Sequence, residues 1–95
     1  MREAFSHDDR QASMRAIGWI QASVAEVPLR RFVGQVGAIE VGAVEYDASN
    51  SMWVWSSPLA DDAWGWAANE EGAKQALDVW LRAWLENFRA FFDPV

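Results

Sequence analysis

Seven carboxylates and four tryptophans lie between Arg31 and Lys74, a stretch with no basic residue. The acids are Glu40, Glu45, Asp47, Asp61, Asp62, Glu70 and Glu71. The tryptophans form two i, i+2 pairs, Trp53/Trp55 and Trp64/Trp66. Paired carboxylates suggest acid–base hydrolysis, but that chemistry needs two groups facing each other across a cleft. Asp61/Asp62 are neighbours in a loop and Glu70/Glu71 open a helix, where turn chemistry and the helix dipole account for them. Oxygen ligands for a hard cation would need a spacing such as that of an EF-hand, which is absent here. His7 is the only histidine and there is no cysteine, so neither a Ser/His/Asp arrangement nor a thiolate metal site is expected. No phosphate-binding glycine motif occurs, because Gly34-Gln35-Val36-Gly37 lacks the remainder of one. The expectation is a protein that is not an enzyme, with no cofactor and no metal, binding a partner through Glu45, Asp47, Asp61, Asp62, Glu70 and Glu71.

Composition bounds that partner. The net charge is −6, concentrated in the middle of the chain. An acidic surface does not contact phosphates, which excludes direct nucleic-acid binding through this region and points to a protein with a basic surface. The longest uncharged run, 48–60, contains Ser, Asn and Pro and is too short and polar to span a bilayer. The first residues lack the apolar run of a signal peptide. These features predict a soluble, cytoplasmic protein without a membrane segment. Ninety-five residues with 52% apolar and 23% charged composition describe a single globular domain, 1–95, with 1–7 expected to be disordered. Large aromatics would supply much of its core.

The elements that position these residues follow from periodicity. Ser6 with Asp8 and Asp9 reads as a helix start, and Ile17, Ile20, Val24 and Val27 recur at helical spacing up to Pro28. A helix over 8–26 is predicted, with a strand over 16–24 as the competing reading, since Ile17 and Trp19 also fit period two. Residues 32–46 read as strand with a bend or bulge at Gly34, Gly37 or Gly42. Residues 47–51 are a turn, 52–56 a strand apolar on both faces, 58–62 a loop, and 64–67 a short strand. Asn69 then caps a helix of about 70–91, whose polar stripe runs Glu71, Gln75, Asp78, Arg82, Glu86, Arg89 and Asp93. The predicted fold is α+β: an N-terminal helix, a two- or three-stranded antiparallel sheet, and a long C-terminal helix packed on it. Trp80 and Trp84 would pack on Trp53, Trp55 or Trp66. Aromatic surface left uncovered on that helix would serve a homodimer through Trp80, Trp84 and Phe88.

Two resemblances extend this reading. The stretch 65–77, Gly65-Trp66-Ala67-Ala68-Asn69-Glu70-Glu71-Gly72-Ala73-Lys74-Gln75-Ala76-Leu77, resembles the strand-to-helix step of HicB-like antitoxins. By size, acidity and lack of cysteine the chain is similar to phage-encoded anti-defence proteins, including anti-CRISPR proteins. That class implies an inhibitor that imitates nucleic-acid charge and occludes a basic, nucleic-acid-handling partner. The alternatives are an antitoxin or regulatory subunit that binds through the aromatic C-terminal helix, and a self-associating structural protein.

Overall fold

In the computed structural model, which describes residues 17–92, the element order is five strands followed by helix. The strands are β1 (Gly18–Val24), β2 (Val27–Val36), β3 (Ile39–Asp47), β4 (Met52–Ser56) and β5 (Trp64–Ala67). They form one antiparallel sheet in sequential order. Helix α1 (Glu70–Leu85) crosses the sheet over β3, β4 and β5. A 3-10 turn (Glu86–Phe88) and a last helical turn, α2 (Arg89–Phe92), follow it. No helix among the described residues is long and apolar enough to cross a membrane.

This corrects the predicted fold in two respects. Residues 18–24 form an edge strand, not a helix, and the sheet has five strands instead of two or three. The remainder of the predicted helix, 8–16, and the segment 1–7 lie outside the described residues. The physical reason is the β1–β2 turn. Ala25 and Glu26 both take positive φ, 50° and 68°, as a two-residue hairpin of the I′ type requires. Neither residue carries turn chemistry, so the apolar residues of two strands read as one helical face.

The remaining connections have visible causes. Gly37, at φ 61°, turns β2 into β3. Between β3 and β4 the Asp47 carboxylate accepts from the Ser49 backbone N–H and the Asn50 side-chain amide, each at 2.9 Å. Asn69 caps α1, its side-chain oxygen accepting from the Gly72 N–H at 2.7 Å.

A bulge in β3 builds the core. Gly34 pairs with Gly42 but Gln35 pairs with Glu40, leaving Val41 extra. Val41 and Gly42 are both buried, and Leu77, fully buried, sits over Gly42. A Cβ on Gly42 would lie 2.5 Å from the Ser56 carbonyl oxygen and 2.6 Å from a Leu77 methyl, so only glycine admits the helix this close. Ile17, Val41, Leu77 and Leu81 form one cluster, and Val44, Trp53 and Ala73 a second.

Candidate functional site: an open aromatic face of the sheet

Strand register divides the side chains cleanly, because directly paired residues share a face. One face carries Trp19, Phe32, Val44, Tyr46, Trp53 and Trp55, and the helix lies on it. Trp55 meets Trp80 at 6.3 Å between ring centroids, which fulfils one of the expected contacts. The helix does not reach β1 and β2 fully, and two cations complete the cover. Lys74 places its ammonium 4.2 Å over the Phe32 ring and 5.3 Å over Trp19, while Arg30 lies 3.7 Å over Tyr46. Long aliphatic stems and cation–π attraction make both good lids for aromatic surface.

The opposite face has no such cover among the described residues. The register aligns Ile20, Val33, Ala43, Ser56 and Trp64 in one row across all five strands. The adjacent row runs Arg31, Glu45, Val54 and Trp66. Ile20, Trp64 and Trp66 are 55%, 54% and 45% exposed. Trp64 and Trp66 meet edge to face at 6.0 Å, fixing each other's orientation. Trp66 was expected to be a support for the helix, but alternation along β5 turns it to the opposite face. Two tryptophans that already contact each other have less conformational freedom to lose on binding than isolated ones, a property that suits such residues as anchors at interfaces.

Carboxylates share this face. Glu40, Glu45 and Asp47 occupy it along β3, against one cation among the described residues, Arg31, whose Nε lies 3.7 Å from a Glu45 oxygen. At that distance the pair is loose and solvent-screened. Asp61 and Asp62, both exposed, stand in the loop that leads directly into Trp64. The Trp64 N–H donates to the Asp62 carbonyl at 3.1 Å, which ties that loop to the strand. The result is an apolar, aromatic centre with an acidic margin.

The six residues expected to contact a partner are not brought to one place. Glu45 and Asp47 stand on β3, and Asp61 and Asp62 at the margin beside Trp64. The Asn50 side-chain amide holds the Asp47 carboxyl below its usual range, and the Ser49 and Asn50 backbone N–H groups add to this. Glu70 and Glu71 open α1 at the far end of β5 from Asp61 and Asp62. Glu70 is bound to Lys74 at 2.8 Å, while Glu71 stands on a groove of about 440 Å³ walled by Ile17 and Trp19 on one side and by Lys74, Asp78 and Arg82 on the other. Of the residues named for a homodimer, Trp80 and Trp84 are half-buried and Phe88 is 40% exposed. Sequence reasoning missed Ile20, Arg31, Val33, Trp64 and Trp66 as surface-forming. The signal for the two tryptophans was present: Trp64 and Trp66 sit at period two on a strand followed at once by a capped helix.

Compared with known protein families, with characterised proteins and with solved structures, the chain matches none. Among the described residues no group of three or more His, Cys, Asp or Glu could hold a metal ion.

Proposed function

We propose that this chain is a non-catalytic, protein-binding inhibitor of the anti-CRISPR kind, acting in the cytoplasm by covering a basic surface of a nucleic-acid-handling protein. The open sheet face is the contact surface. Trp64 and Trp66 supply the apolar anchor, and Glu40, Glu45, Asp47, Asp61 and Asp62 supply the charge that draws Lys and Arg to its margin. The observation that carries the reading is the contrast between the two faces of one sheet. On the helix side, α1 lies over the sheet, and Lys74 and Arg30 lie over the Phe32 and Tyr46 rings beside it. The other side presents two tryptophans at about half exposure beside carboxylates. Exposed aromatic area of this kind marks interaction surfaces, and complementary charge at the rim raises association rate and selects the partner.

The test compares four tagged chains as baits in bacterial lysate: wild type, Trp64→Ala/Trp66→Ala, Glu45→Lys/Asp61→Lys/Asp62→Lys and Glu70→Lys/Glu71→Lys. A basic protein retained by wild type and by the helix-start variant, lost with the tryptophan variant, and lost with the β3-and-loop charge reversal supports the proposal. Its retention should fall at high salt, since rim charges are screened. Retention unaffected by the tryptophan substitutions contradicts it.

A further inference from the structure

We propose that a second copy of this chain docks on the C-terminal end of the helix, each copy seating Phe91 and Phe92 in an apolar pocket of the other. This surface is separate from the open sheet face, so the two proposals stand or fall independently. The pocket, about 210 Å³, lies where the β2–β3 hairpin meets the end of α1, lined by Val36, Ile39, Leu59, Leu81, Trp84 and Leu85 with almost no polar surface. Beside it the helix runs on past the sheet. Phe91 and Phe92 there are 79% and 77% exposed and meet edge to face at 5.0 Å. They follow along the chain an aromatic series that runs from Trp55 to Trp80, Trp84 and Phe88, at centroid separations of 6.3, 5.8 and 5.0 Å.

Helical geometry makes the exchange reciprocal. With a two-fold axis at Phe88 and the helices antiparallel, Phe91 of one copy comes level with Leu85 of the other, and Phe92 with Trp84. Both of those lie in the pocket wall.

Charge permits the contact. Elsewhere the acidic chain would repel its own copy, but among the described residues past Leu85 the only charges are Glu86 and Arg89, which form a two-bond ion pair at 2.8 Å each and add no net charge to that stretch. Area limits its strength. At roughly 150–250 Å² per ring, the four exposed phenylalanines of two copies bury about 500–800 Å². Leu85, Phe88 and Ile39 bring the total to about 1,000 Å² or a little more, the lower bound of a specific interface. A reversible, weak dimer is the consequence.

Sedimentation equilibrium of the full chain, from low micromolar to near-millimolar concentration, tests this. The wild type should show a monomer–dimer equilibrium that persists at high salt. Phe91→Asp/Phe92→Asp should weaken association by about a hundredfold or more. Ile39→Asp, at an exposed position on the pocket wall, should weaken it independently while leaving the circular dichroism spectrum unchanged. In the wild type the Trp84 indole N–H signal should shift with concentration and that of Trp64 should not. A chain that stays monomeric throughout, or a dimer indifferent to both substitutions, overturns the proposal.

Discussion

Replacing two tryptophans in parallel separates core from surface. Trp53 and Trp64 look alike in sequence, each the first of an i, i+2 pair, but the structure gives them different work. Trp53 is 7% exposed, 5.7 Å from Tyr46 and 6.4 Å from Phe32. Trp53→Ala removes a buried indole and leaves a void beneath the helix, a cost of about 3–5 kcal/mol. A domain of this size has about 5–14 kcal/mol in total, and each kcal/mol moves its melting temperature by about 4–8 °C. The expected loss is therefore about 12–40 °C. Trp64 keeps 54% of its surface in water. Less than half of a payload of roughly 150–250 Å² is removed from solvent, about 70–115 Å². At about 25 cal/mol per Å² that is about 2–3 kcal/mol as an upper bound, and about 1–2 kcal/mol once residual burial in the denatured chain is discounted. Guanidinium unfolding followed by far-ultraviolet circular dichroism reads both variants without relying on tryptophan emission. Equal losses, or a greater loss for Trp64→Ala, would refute the assignment of faces.

Gly42→Ala should cost about 1–3 kcal/mol by overpacking, and Leu77→Ala should not rescue it, because the Ser56 carbonyl oxygen remains 2.5 Å from the new methyl; chemical denaturation of the double variant checks this. Ala25→Asn/Glu26→Gly installs a pair suited to two consecutive positive φ values. Relief of about 1 kcal/mol per left-handed residue outweighs the extra chain entropy of glycine, about 0.4–1 kcal/mol, so the variant should be more stable by about 1 kcal/mol in the same assay. The Asp47 carboxyl titrates lower in the folded chain than in the unfolded one. Its contribution is therefore complete above the unfolded pKa, near 4, and is lost as pH falls through the folded value. Asp47→Asn should flatten the fall in melting temperature over that acidic window, and an unchanged slope contradicts the turn assignment.

Where local chemistry marks a boundary, the fold was legible in the sequence. Asn69 with Glu70 and Glu71 fixed the start of α1, and the polar stripe from Glu71 to Arg89 fixed its outward side. Asp47, Ser49 and Asn50 marked the β3–β4 turn, and β4 and β5 fell within their expected spans. The β1–β2 hairpin was hidden because its turn uses Ala25 and Glu26, whose conformations are imposed by the pairing of the strands. Ile17, Ile20, Val24 and Val27 then satisfy helical spacing by coincidence. Register was hidden as well. The bulge at Val41 decides which residues of β3 face the helix, and no single residue type announces it. The candidate site suffered most from this. Acidity along the chain was plain, yet only register shows that Glu45 shares a face with Val54 and Trp66, while Glu70 turns to Lys74. Both faces of β4 being apolar suggested a strand either central or covered on both sides; it is interior, between β3 and β5, and only its Trp53/Trp55 side lies under the helix.

All seven tryptophans lie within the described residues, so each indole N–H gives one probe of its own surroundings. The most direct test is the ¹H–¹⁵N spectrum of those indoles as the labelled chain is titrated with the basic protein retained by wild-type bait. Shifts or broadening at Trp64 and Trp66, with Trp53 and Trp55 unmoved, are the predicted result. Perturbation at Trp84 with Trp64 and Trp66 unchanged would place the partner on the C-terminal end of the helix and contradict the open sheet face as the binding surface.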